Sequence, residues 1–232
     1  DILKHILALL KPRQDLAGRK ILINAGSTCE DIDPVRFITN RSTGKMGYAL
    51  ARTAAARGAE VVLVSGPTHL EIPSGVEFIS VRSARDMCAA MLQHQPGCDI
   101  IIGAAAVGDF RPATPAEQKI KKNEDGSGRI TIDLAQNPDI LKELGKKKEP
   151  GCIMIGFAAE TENVLENALA KLAAKNLDLI VANDVSMEGA GFACDTNICT
   201  LISSRTDIRP MPLISKDDVA EAILNRAAEL LL

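Results

Sequence analysis

Short apolar runs alternate along the chain with longer stretches in which apolar residues recur every three or four positions. That is the order expected of strands and helices in a doubly wound α/β sheet. Residues 20–25 (KILINA) form an apolar run that stops at Gly26, as a strand buried on both faces would. Residues 43–57 place Met46, Ala49, Leu50, Thr53 and Ala54 at helical spacing and predict a helix that Gly58 ends. Strands are predicted over 60–65 (EVVLVS), 76–81 and 99–105 (DIIIGAA), with a helix over 84–92. Two more strands, over 153–158 and 178–182, flank a helix over 162–175, and a last helix covers 217–231. Two segments break the alternation. Residues 119–134 carry Glu-Asp-Gly-Ser-Gly between extended runs and predict a hairpin or flap. Residues 198–203 and 209–213, around Arg205-Thr206-Asp207, predict a second hairpin. The expected architecture is a Rossmann-like, doubly wound, mostly parallel α/β sheet with β-hairpin and flap excursions.

Composition refines this picture. The 232 residues are 46% hydrophobic but only 3% aromatic, so the core must be aliphatic. A chain of this length buries enough surface to need no disulfide or metal staple. A net charge of −3 argues against bulk nucleic-acid binding. The six cysteines include no CxxC pair and the three histidines are scattered, which suits reduced thiols in a cytoplasmic protein. No apolar run approaches the ~20 residues of a membrane span, and no secretory signal precedes the first strand. Residues 1–18, helical over 1–11 up to Pro12, read as a linker or N-terminal helix, and residues 19–232 as one domain. The start on Asp rather than Met suits a piece of a longer polypeptide.

Ligands of open parallel sheets bind beyond the carboxyl ends of the strands, so the loops there carry the candidate chemistry. The first, residues 26–42 (GSTCEDIDPVRFITNRS), is 17 residues long. Loops beyond ~12–15 residues without structure of their own are usually functional or disordered. This one carries Pro34, Arg36, Asn40 and Arg41, then delivers Ser42, Thr43, Gly44 and Lys45 to a helix start. Free N–H groups and the positive helix end suit a phosphate there. Taken singly, Ser42 or Thr43 reads as a helix N-cap. The usual nucleotide fingerprints fail: GxGxxG would need glycine at Thr28, and a phosphate loop would need Ser or Thr at Met46 and glycine at Thr39. The fourth strand runs into the small residues Gly103, Ala104, Ala105, Ala106, Val107 and Gly108, which admit a ligand to the backbone, followed by the carboxylate of Asp109. In an extended segment Lys119 and Lys121 share one face, which describes a solvated hairpin equally well. Asn137 reads as an N-cap with Pro138 at the first helical position. Lys171 and Lys175 sit i, i+4 on a helix, where lysines near the C-terminus suit the dipole in any case. The sequence offers no Ser/His/Asp set, Cys–His pairing or paired carboxylates. Cationic and amide donors of this kind suit phosphate-ester or nucleotidyl transfer, in which positioning and charge stabilisation dominate.

Residues 33–47 (DPVRFITNRSTGKMG) resemble the signature loop of the bacterial phosphopantothenate–cysteine ligase family. The likeness continues through 105–112, 119–122, 137–140, 156–161 and 175–185, and covers essentially all of 19–231. It implies that CTP activates the carboxylate of 4′-phosphopantothenate as an acyl-cytidylate, releasing pyrophosphate. The amine of L-cysteine then attacks, giving 4′-phosphopantothenoylcysteine and CMP in coenzyme A biosynthesis. By the resemblance, CTP contacts Gly103, Ala104, Ala105, Asp109, Lys119, Pro138, Asp139, Ile140, Leu141, Phe157, Lys171 and Lys175. It gives catalytic roles to Lys119, Asn40 and Arg36, with the acyl intermediate under Asn40 and with Arg36 and Ala105 nearby. The charge argument agrees: developing phosphate charge wants Lys119 and Mg²⁺, and a tetrahedral oxyanion wants a neutral donor such as Asn40. The resemblance assigns no metal ligands, and places FMN only in an N-terminal decarboxylase half that this sequence lacks. It also implies a homodimer; the charge and the apolar runs already argue for neither nucleic-acid nor membrane partners. Two departures stand out: Cys29 where members often carry arginine, and Gly108 where alanine is common. A nucleotide-dependent oxidoreductase on a Rossmann fold is the alternative, which the missing GxGxxG opposes; a non-catalytic nucleotide sensor or assembly module is a third reading.

Overall fold

The computed structural model describes residues 13–121, 129–160, 164–184 and 194–232. The sheet strands are β1 (Lys20–Ala25), β4 (Glu60–Ser65), β5 (Val76–Ser80), β6 (Ile100–Gly103), β9 (Ile153–Glu160), β10 (Leu179–Asp184), β11 (Thr196–Ile202) and β12 (Ile208–Ser215). They form one sheet in the order β12-β11-β10-β9-β6-β1-β4-β5. From β5 to β10 every pairing is parallel; β11 runs antiparallel to β10 and β12 antiparallel to β11. The helices are α1 (Lys45–Ala56), α2 (Ala84–His94), α3 (Ile140–Lys146), α4 (Val164–Lys175) and α5 (Lys216–Leu230). No helix of the described residues is long and apolar enough to cross a membrane.

The two-residue period of the strands sorts the core into two layers. Ile21, Ile23, Ala25, Ile100 and Ile102 pack with Leu50 of α1 and Val219 and Ile223 of α5. Leu22, Ile101 and Met154 pack on the other face with Met87 and Met91 of α2 and Leu144 of α3. Burying each such large aliphatic side chain contributes roughly 1.5–3 kcal/mol, so an aliphatic core suffices without aromatic anchors. Residues before β1 join it: Leu16 is buried among the α1 and α5 side chains.

The structure departs locally from the sequence expectations. The loop over 26–42 has structure of its own, a ribbon of β2 (Cys29–Asp31) against β3 (Phe37–Thr39). Asp33 turns the chain between them by accepting from the amides of Val35 and Arg36. The hairpin expected over 119–134 is a wider one, β7 (Phe110–Pro112) with β8 (Leu134–Gln136), that shares only Leu134 with those bounds. Its expected tip, 123–128, lies outside the described residues, as do the expected helix over 1–11 and the first two residues of the one over 162–175. Helix α1 starts at Lys45, with Gly44 in the left-handed region (φ 82°) at the cap position, and Ser42 Oγ accepts from the Gly44 amide at 3.3 Å. Helix α3 is capped by Asp139, which accepts from the Lys142 amide, rather than by Asn137.

Glycines let α1 lie on β1. A methyl added at Gly47 would sit 2.5 Å from Ala25 Cβ. Gly47→Ala should therefore lower the urea midpoint by the equivalent of about 1–3 kcal/mol, outweighing the ~1 kcal/mol that alanine gains over glycine inside a helix. At Gly108 the added methyl meets nothing nearer than 3.5 Å. Gly108→Ala should thus stay within about 0.5 kcal/mol of the parent.

Candidate functional site

The chain runs outward from β1 to β4 and β5, then returns to place β6 on the other side of β1. The crevice beyond this reversal is where doubly wound sheets bind ligands, and a cavity of about 630 Å³ opens there. Its floor is made by the two segments leaving β1 and β6, which stay side by side after the regular ladder ends. The Ala106 amide donates to the Gly26 carbonyl at 2.9 Å. Asn24, the buried polar residue of β1, accepts from the Ala105 amide at 2.9 Å, and Thr28 Oγ1 accepts from the Gly108 amide at 2.9 Å. Asn40 Nδ2 donates to the carbonyls of Ala106 and Val107 (3.3 and 3.0 Å). Ser27 donates to the Asn40 and Ser42 carbonyls, which ties the far end of the β2–β3 ribbon to the floor. Asn137 Nδ2 holds the Gly108 carbonyl at 2.8 Å, bringing the start of α3 to the rim.

Most of the residues singled out in the sequence meet in this one cavity. Asn40, Ser42, Gly44 and Lys45 line it from the β3–α1 side, and Gly103, Ala104, Ala105 and Asp109 from β6 and the segment beyond it. Pro138, Asp139, Ile140 and Leu141 line it from α3, with Phe157 on β9 and Lys175 on α4. Lys175 pairs with Asp139 at 3.0 Å. Arg36, Thr43, Lys119 and Lys171 lie outside the lining. Arg36 is engaged with Asp33, and Lys119 is exposed on the segment before residue 121. Gly103 also has a packing role: a methyl there would come within 2.6 Å of Leu141 Cδ2, so the glycine lets α3 lie close to β6.

Sequence reasoning missed Asn24, Asn197 and Lys216 on the cavity wall. Asn24 had a readable signal, a carboxamide closing an otherwise apolar strand that must be satisfied if buried. Lys216 had none, because only the return of β12 past β11 brings the start of α5 to the site. Its side chain is 8% exposed, its ammonium donates to the Cys194 carbonyl, and its pKa is lowered, first by burial and then by the charge of Lys45. Lys45 itself meets the exposed carboxylate of Asp195 at 2.6 Å. Asn183 also lines the cavity, and its buried Oδ1 has no hydrogen-bond partner among the described residues. No group of three or more His, Cys, Asp or Glu able to hold a metal ion occurs among the described residues.

Residues 16–231 match the family profile described as the DNA/pantothenate metabolism flavoprotein C-terminal domain. The chain is 52% identical over 216 residues to the Coenzyme A biosynthesis bifunctional protein CoaBC of Bacillus subtilis (strain 168), covering 93% of this chain and 52% of that protein. It is 48% identical over 210 residues to the protein of the same name from Vibrio cholerae, covering 90% of this chain and 52% of the relative. It thus spans about half the length of these relatives. A crystal structure of the C-terminal domain of a Coenzyme A biosynthesis bifunctional protein CoaBC superposes with a TM-score of 0.79 at 44% identity, covering 94% of this chain and 98% of the other.

None of the buried thiols lines the cavity. Burial pushes Cys98 and Cys199 up to about 11 and Cys152 up to about 12. A raised pKa removes thiolate, the reactive form, so at pH 8 these cysteines should resist iodoacetamide in the native protein and react fully in urea. Peptide mass mapping checks this, and fast native labelling of Cys152 would contradict the buried placement.

Proposed function

The chain belongs to the family of the DNA/pantothenate metabolism flavoprotein C-terminal domain, and on that premise we propose that it is a phosphopantothenate–cysteine ligase domain that uses CTP. One observation carries the reading. The cavity gathers the signature-loop residue Asn40, the segment from Gly103 to Asp109 and the start of α3 around one pocket whose donors are carboxamides, lysines and the Arg41 guanidinium set among small and apolar side chains. Such a site suits charge stabilisation and positioning better than general acid–base work.

In the first step a carboxylate oxygen of 4′-phosphopantothenate attacks the α-phosphorus of CTP. The bond to the pyrophosphate oxygen breaks, and pyrophosphate leaves with the charge. Lys175 on the lining, joined by Lys119 and Lys171 from outside it, would supply cations for that charge, and Phe157, half-buried on β9, offers an apolar face to the base. Lys175 now rests on Asp139, so a phosphate would take over an ion pair already in place. Mg²⁺ bound to CTP would hold the phosphate oxygens, with Asp109 the carboxylate at hand; few protein ligands are needed when phosphates supply most of them. In the second step the cysteine amine attacks the acyl carbon, CMP leaves and the amine loses a proton. Asn40 is the neutral donor we assign to the oxyanion, which it would serve by turning Nδ2 from the Ala106 and Val107 carbonyls. The oxidoreductase alternative fares worse. Thr28 stands fully buried where a dinucleotide fingerprint needs its second glycine, and its hydroxyl is committed to Gly108.

A homodimer belongs to the same proposal. Val35 and Phe37 on the first ribbon and Phe110 and Leu134 on the second are 45–59% exposed, an apolar surface suited to a second copy. Val35→Glu should shift the sedimentation equilibrium at micromolar concentration toward monomer, and a parent that sediments only as monomer would refute the dimer.

The two half-reactions separate the roles. Losing one donor that stabilises developing charge typically lowers the rate about 10²–10³-fold. Lys119→Gln should release little pyrophosphate from CTP and 4′-phosphopantothenate and accumulate no intermediate. Asn40→Asp should still activate but stall, because a carboxylate cannot donate and repels the oxyanion. Mass spectrometry of the quenched reaction should show acyl-cytidylate only with Asn40→Asp; finding it with Lys119→Gln would reverse the roles.

A further inference from the structure

Asp33 is a buried carboxylate outside the cavity, and its two oxygens face different tasks. Oδ1 accepts from the Val35 and Arg36 amides at 2.9 and 2.8 Å and so makes the turn of the β2–β3 ribbon. Oδ2 accepts from the Arg36 guanidinium, through Nε at 3.0 Å and the adjacent nitrogen, and from the Ile120 amide at 3.1 Å, 87 residues away in sequence. The guanidinium then donates to the Ile120 carbonyl at 3.0 Å. Both backbone groups of Ile120 are thus held by one ion pair. Four residues earlier the Ala116 amide donates to the Ile32 carbonyl at 2.9 Å, so the segment is pinned to the ribbon at two points. Lys119 lies between them, one peptide before the clamp, with its own side chain exposed.

The turn needs only Oδ1. The reach to Ile120 extends beyond the ribbon, and its consequence is a fixed backbone position for Lys119 relative to the loop that carries Asn40. We propose that Asp33, acting through Arg36, is a positioning residue for Lys119. This rests on the ligase reading for the role of Lys119, and it assigns Arg36 to holding the segment. The Arg36 guanidinium keeps the Asp33 carboxyl well below the usual carboxylate range, so the clamp stays charged throughout the pH range of an assay.

Asp33→Asn separates the two tasks. Asparagine can keep the Oδ1 contacts, but its Nδ2 cannot accept from Ile120 and opposes the guanidinium. Displacing a catalytic group by about 1 Å can cost on the order of 10²-fold, so CTP-dependent pyrophosphate release should fall roughly 10- to 100-fold in the 232-residue chain. The decisive reading is a double-mutant cycle with Lys119→Gln. If Asp33 works through Lys119, Asp33→Asn should slow the Lys119→Gln protein less than about threefold further. Losses that multiply would overturn the proposal. Hydrogen exchange at the Ile120 amide reads the clamp without turnover: Asp33→Asn should abolish its protection, and unchanged protection would also overturn it. Should Asp33→Asn unfold in lower urea, Arg36→Lys repeats the cycle, keeping the charge but not the fork that holds Asp33 and Ile120 together. A parent chain that binds CTP but releases no pyrophosphate would sink the ligase reading, while the exchange result still decides whether the clamp exists.

Discussion

The site depends on how the chain satisfies its backbone where β1 and β6 run out. Buried amides and carbonyls need partners, and a parallel ladder supplies them only while both strands are extended in register. Past Asn24 and Gly103 the ladder gives way to substitutes: the Asn24 carboxamide for Ala105, the Gly26 carbonyl for Ala106 and the Thr28 hydroxyl for Gly108. These contacts keep the two segments abreast for several residues and leave a crevice above them. Removing one would strand a buried amide, at about 1–3 kcal/mol, and would loosen the floor on which the rest of the cavity is assembled.

From that floor, close approach does the rest. Gly47 lets α1 rest on β1, Gly103 lets Leu141 of α3 fold over β6, and Gly26 and Gly44 adopt positive φ where their backbones meet. Neutral amides hold the scaffold of the cavity, and two of its lysines are paired, Lys175 with Asp139 and Lys45 with Asp195. Each pair holds its lysine ammonium in place at the edge of the cavity.

The two ribbons extend the same logic outward. The β2–β3 ribbon is tied to the floor through Ser27 and Asn40 at one end. At its turn Asp33 and Arg36 hold the segment that carries Lys119. A residue outside the cavity is thereby referenced to the cavity floor through an ion pair that is shielded on the Asp33 side. The apolar side chains left exposed on both ribbons take no part in these hydrogen bonds, and the Arg82 guanidinium lies over the Phe37 ring.

Much of this was legible in the chain. The strands at 20–25 and 60–65 appear with those bounds, because a run of apolar residues ended by glycine has few alternatives inside a two-sided sheet. The signature loop and the segments after β6 and before α3 pointed to one site, and the fold brings them together. Two helix starts were misplaced by two residues, since Ser42 and Asn137 have good capping side chains that the loops use otherwise, Ser42 for the Gly44 amide and Asn137 for the Gly108 carbonyl. The sequence by itself determined the local elements, their order and the residue types available to bind an anion, because periodicity and composition act over neighbouring positions. Tertiary structure alone decided that Asn24 would support the floor, that Lys216 would reach the wall from the last helix and that Asp33 would grip Ile120. Those contacts join positions as many as 87 apart, and which partner a buried polar group finds is set by sheet order and packing, which no local pattern encodes.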